Sequence, residues 1–149
     1  MLVSGALAGS WSPAAAATKD PCKLLKATEI ETVLGTDVAE GRKGRTTAVI
    51  RNCEWDLPAA AGGAGGLISA TIQTSGAKLA FDTNRQQAGV EDLAELGKAY
   101  YIPAALGPGS GGSVWMLKGS KLLSINDVLT PVADKAQLEE LARLARKRL

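Results

Sequence analysis

The chain has 149 residues, enough for one domain with its own core. A net charge of +2 and an aromatic content of 4% argue against a nucleic-acid surface or a stacking platform for bases. Histidine is absent, which removes the commonest general base and the commonest metal ligand together.

The N-terminal 17 residues read as an export signal. Leu2 to Gly9 is apolar, and Ala15-Ala16-Ala17 fits the small-x-small pattern of signal-peptidase sites, leaving Thr18 as the mature start. No charged n-region precedes it, so the translation start is expected further upstream. Leu7-Ala8-Gly9-Ser10 has the form of a lipoprotein signal with serine where the lipid-bearing cysteine would stand. Ser10 offers no sulfur to a diacylglycerol, which leaves a lipid anchor doubtful. The plainer alternative is an alanine-rich tail. No stretch approaches the ~20 apolar residues of a membrane span. Residues 18–149 then form a single domain.

Export exposes Cys22 and Cys53, the only two cysteines, to an oxidising environment where pairing is expected. Closing that loop stabilises a fold by roughly 3–4 kcal/mol in the chain-entropy model. Two buried free thiols are the first alternative. Half of a metal site is the second, and it would need carboxylates to complete a zinc tetrahedron.

Asp20 before Pro21 signals a short turn over 21–26, with a capping side chain and then a proline. Thr28 and Glu31 have capping-box spacing, which predicts a helix over 29–34 closed by Gly35. Ile30, Val33 and Leu34 form its apolar side. Residues 36–46 read as a weak strand with a loop. From Val49 to Leu57 the pattern has period two. Val49, Arg51, Cys53, Trp55 and Leu57 share one face, so the Trp55 indole is placed beside the disulfide. A glycine connection, 62–66, leads to a strand in which Ile68, Ala70 and Ile72 alternate with Ser69, Thr71 and Gln73. The two strands read as a hairpin.

Helical spacing over 77–88 puts Leu79 and Ala80 inward, and Gly89 stops the helix. Residues 90–97 form a polar bend carrying Leu93 and Leu96. A short strand over 99–104 holds Tyr100 and Tyr101, and a glycine loop spans 107–112. Strands over 114–118 and 122–128 are joined by Gly119-Ser120, a Gly-first hairpin turn. A final helix is capped by Asp134 with Gln137 three residues on. Leu138, Leu141, Ala142, Ala145 and Leu149 form its apolar stripe, and Glu139 precedes Arg143 by four. The order helix, strands, helix, strands, helix predicts an α+β fold. Its antiparallel sheet has five to six strands, with helices packed on one face.

Little in the chain points to catalysis. Gly107-Pro108-Gly109-Ser110-Gly111-Gly112 matches G-x-G-x-x-G, but a strand and not a helix is predicted to follow, so no dinucleotide cofactor is expected. Ser75 and Lys78 match S-x-x-K without the partner motifs of that enzyme class. Glu29, Glu31, Glu54, Asp56, Glu91, Asp92 and Glu95 read as solvated carboxylates. The basic run Arg42-Lys43-Gly44-Arg45 suits a solvated hairpin end, or an anionic polymer or lipid headgroup. Tyr100, Tyr101 and Trp115 are candidates for a ligand or partner surface, with core packing the commoner use of such rings.

Asp20-Pro21-Cys22-Lys23-Leu24-Leu25, Thr28-Glu29, Leu34-Gly35 and Cys53 with Trp55 resemble the actinobacterial exported domain of unknown function 3558. Leu96-Gly97 before Ala99 is similar to a later bend of that family. The resemblance implies a short secreted or lipoprotein-like chain, a disulfide and an extracellular or envelope location, and it implies no catalytic residues. The expected function is non-catalytic binding of an unidentified protein or small molecule at the envelope, by a monomer without cofactor or metal. The alternative is an inhibitor-type or surface-interaction protein acting through the 107–112 loop. An enzyme with a carboxylate site ranks third.

Overall fold

The computed structural model describes residues 19–59, 65–104, 110–129 and 133–149. The segment read as an export signal, residues 1–17, therefore lies outside the described residues, as do Gly107, Pro108 and Gly109 of the glycine loop.

A 3-10 turn, Pro21–Lys23, opens the fold, and the Asp20 carboxylate accepts from the Cys22 backbone N–H at 3.0 Å. Helix α1 follows over Ala27–Leu34 and ends on Gly35. It begins two residues before the predicted start. The Glu29 side chain reaches back to accept from the Lys26 N–H at 2.9 Å, so the cap lies at Lys26 and Thr28 sits inside the helix. Strands β1 (Arg42–Lys43), β2 (Ile50–Asp56) and β3 (Leu67–Gln73) come next. Helix α2 (Ala77–Asn84) crosses to β4 (Glu91–Asp92), a 3-10 turn at Ala94–Leu96 and β5 (Ala99–Ile102). Strands β6 (Ser110–Lys118) and β7 (Lys121–Val128) form a hairpin, and α3 (Lys135–Arg148) closes the chain.

All seven strands form one antiparallel sheet, ordered β1-β2-β3-β7-β6-β5-β4. The weak strand expected over 36–46 is the two-residue β1, and the expectation of five to six strands misses only β4, too short to carry an alternating pattern and read as part of a bend. The 3-10 turns also interrupt the simple order of helices and strands. Both predicted hairpins form. Asp56 pairs with Leu67 at the end of one, and Lys118 pairs with Lys121 across the Gly119-Ser120 turn of the other. Gly119 carries the positive φ, 60°, that this turn requires. Strand β7 then lies against β3, which joins the N-terminal hairpin to the C-terminal strands.

Strand alternation gives the sheet two unlike faces. On the first, Cys53, Trp55, Ile68, Ala70, Ile72, Val114, Leu123 and Ile125 are buried under α1 and α3. Helix α3 presents the predicted stripe, Leu138, Leu141, Ala142, Ala145 and Leu149, and its Asp134–Gln137 capping box is formed. Its salt bridges shift by one residue, with Glu140 holding Arg143 and Glu139 facing Lys135.

The second face is where the expectation of helices on one face fails. Helix α2 packs there, with Ala77 and Phe81 against Tyr100 and Leu122. The inward residue is Phe81, whereas Leu79 is 73% exposed. An eight-residue helix has room for one large anchor, and the aromatic ring takes it.

Candidate functional site

The disulfide is formed. Cys22 bonds Cys53 with Cα atoms 5.1 Å apart, fastening the opening turn to β2. Trp55 lies on the same strand face and is 1% exposed. A second tie joins the same region to the chain end. The Arg148 guanidinium donates to both Glu29 carboxylate oxygens and to the Leu24 carbonyl at 2.9 Å. The guanidinium hydrogen bonds hold the Glu29 carboxyl at about 2, well below the usual carboxylate range.

The three aromatic candidates do not form one surface. Tyr100 and Trp115 share the second face, their rings 6.5 Å apart and nearly parallel. Tyr101, adjacent in sequence on a strand, points to the first face. Tyr100 is fully buried. Its hydroxyl donates to the Phe81 carbonyl at 2.8 Å and its ring lies 4.7 Å from that of Phe81, so it pins α2 to the sheet. Burial pushes its phenol pKa up. The Tyr101 ring lies over Gly112, where any side chain would run into it, and the Lys135 ammonium is 5.8 Å from the ring centre. Tyr101 and Trp115 are both half-buried, and of the three Trp115 lines a recess.

That space is a recess of about 430 Å³ on the second face, beyond the reach of α2. Its walls are Trp115, Ile102 and Pro103, with Gln87 from the segment after α2. Its floor is polar, made of Ser113 from β6, Asn126 from β7 and Ser69 from β3. The Asn126 amide donates to Ser69 Oγ at 3.3 Å and to Ser124 Oγ at 3.2 Å. The Trp115 indole N–H donates to Ser113 Oγ at 2.8 Å. Ser69 is only 7% exposed, and Ser113 and Asn126 are half-buried, so the floor is sunken and not a flat solvated strand face. Sequence reasoning passed over Ser69, Ser113, Asn126 and Gln87, because small polar residues alternating on a strand look like an ordinary wet side.

A larger hollow among the described residues, about 700 Å³, is a groove between α1 and α3. Its polar groups are already engaged. Glu29 holds Arg148, and the Gln137 amide donates to the Val33 carbonyl at 3.1 Å while its oxygen caps α3. The other motifs resolve into surface pairs or regular strand. Lys78 of the S-x-x-K match bonds Asp82. Arg42 bonds Glu54 and Asp56, and Lys43 faces Asp20 at 3.9 Å, so the basic run is largely neutralised. Strand β6 begins at Ser110, so the last three residues of the G-x-G-x-x-G match already belong to a strand, and strand, not helix, continues from them.

Comparison with protein-family models, with curated proteins and with solved structures finds no match for this chain. Among the described residues, no helix is long and apolar enough to cross a membrane.

Proposed function

We propose that this chain is an exported, non-catalytic binding domain of the cell envelope or extracellular space, acting as a monomer and allied to the 3558 family. Its ligand is a small, uncharged, polyhydroxylated molecule of saccharide type, held in the recess of the second face. The observation that carries this reading is the combination in one hollow of an indole wall with a sunken floor of hydroxyls and an amide. Indole edges and faces cover the apolar side of a sugar ring, and Ser, Asn and Gln side chains both donate to and accept from its hydroxyls.

The carboxylates that might have served acid–base chemistry support a binding role. Glu29, Glu54, Asp56 and Asp92 are each committed to an arginine. The Cys22–Cys53 bond and the signal-like segment before it support export, and Ser10 in place of a lipid-bearing cysteine speaks against a lipid attached there.

Native mass spectrometry of the chain purified from its own host tests the proposal. The expected result is a retained neutral small molecule in the wild type and a bare chain for Asn126→Leu, which fills the floor with an apolar side chain. A bare wild-type chain, or an adduct equally retained by Asn126→Leu, would contradict it.

A further inference from the structure

The opposite end of the β6–β7 hairpin carries an arrangement that the fold does not need. Lys118 and Lys121 stand directly across from each other as the closing pair of the Gly119-Ser120 turn. Like charges in that position are destabilising. Among the described residues, neither lysine meets a carboxylate; the Lys118 ammonium donates instead to the Arg146 carbonyl at 3.2 Å. Strand alternation puts both on the face that α3 covers.

Helix α3 adds Arg143, Arg146 and Lys147, whose i, i+3, i+4 spacing gathers them on one side. Lys118 and these three cations line a hollow of about 330 Å³, with Glu95 and Leu96 opposite. Arg143 is held by Glu140, but Arg146 and Lys147 have no acidic partner among the described residues. The Arg146 guanidinium lies across Gly97, where a methyl group would sit 3.0 Å from Nη2. The helix dipole accounts for cations in the last turn of α3. It does not account for Lys118, brought to the same place by a different element and opposed across the turn by Lys121.

We infer that this hollow is an anion site for a phosphate group, distinct from the recess and at the other end of the same two strands. Arginine supplies paired N–H donors to phosphate oxygens, and lysine supplies a compact charge. With Arg143 paired to Glu140, the three cations Lys118, Arg146 and Lys147, from two elements, still outweigh Glu95 at the rim. The same chemistry serves a free phosphate or an anionic phospholipid headgroup.

The test follows amide shifts of the full chain during titration with inorganic phosphate, with phosphatidylglycerol vesicles and with phosphatidylcholine vesicles, at low ionic strength. Shifts at Gly97, Lys118 and Arg146 are expected. Response to free phosphate identifies a soluble ligand, and response to phosphatidylglycerol alone identifies a headgroup. The double change Lys118→Gln with Arg146→Gln is expected to weaken binding by at least about tenfold, the worth of one charge-assisted hydrogen bond. Its thermal midpoint should equal or slightly exceed that of the wild type, because both side chains are exposed and Lys118→Gln relieves the repulsion from Lys121. Arg45→Gln, in the other basic run, is expected to leave binding unchanged. Absence of any response, or equal weakening by Arg45→Gln, would overturn the site.

Discussion

The two faces of the sheet use the same central strands for opposite ends. Toward α1 and α3, β3 and β7 present Ile68, Ala70, Ile72, Leu123 and Ile125, all fully buried. Toward α2, the same strands present Ser69, Thr71, Ser124 and Asn126. The first face is also fastened twice from outside the sheet, by Cys22–Cys53 and by Arg148 on Glu29. The second is covered at one end by α2 and left as a recess at the other. Antiparallel sheets tolerate a solvated face because every backbone group is already paired along the ladder. A domain built this way keeps its stability on one side and is free to carry a polar site on the other.

If that division holds, perturbing the first face should cost stability in proportion to what fastens it. The largest effect is expected from Cys22→Ala with Cys53→Ala, about 3–4 kcal/mol for the loop that the disulfide closes. Denaturant unfolding of the oxidised and cysteine-free chains measures it, and a loss below about 1 kcal/mol would break the comparison at its strongest point.

Next is the tie between Glu29 and Arg148. A carboxyl held at about 2 when folded, against 4.5 otherwise, stabilises the fold above pH 4.5, and that stability is lost as pH falls toward 2. The contribution is about 1–2 kcal/mol after solvent screening. Glu29→Gln should flatten the acid limb of stability between those two values, measured by denaturant midpoints across that range.

The second face sharpens the contrast. Tyr100→Phe removes the hydroxyl that pins α2 and should cost about 1 kcal/mol. Gln87→Ala, on the exposed wall of the recess, should change stability by less than about 0.5 kcal/mol while loosening the retained ligand. Thermal melts and native mass spectra of the two variants separate a residue that holds α2 from one that serves the recess.

Much of the first face was legible in the sequence because its signals are local. The Asp134–Gln137 box and the Leu138-Leu141-Ala142-Ala145 spacing marked α3, alternation around Cys53 and Trp55 marked β2, and Gly119-Ser120 marked the last turn. The second face was less legible. Helix α2 offers one anchor, and pattern alone favoured Leu79 over Phe81. The placement of β7 beside β3 joins residues from Gln73 with Leu122 to Leu67 with Val128, far apart in the chain, which no local period encodes. The recess assembles Ser69, Ser113 and Asn126 from three strands through that same long-range pairing. Tyr100 serves the core packing that was the commoner reading for such rings, and, as neighbours on a strand, Tyr100 and Tyr101 face opposite sides of the sheet.

The most direct measurement is amide chemical-shift mapping of the folded, oxidised chain against a panel of neutral oligosaccharides. Saturable shifts confined to Ser69, Gln87, Ser113, Trp115 and Asn126 are the expected result. Shifts centred on the groove between Thr32 and Leu144, or none at any position, would contradict a binding site on the open half of the sheet.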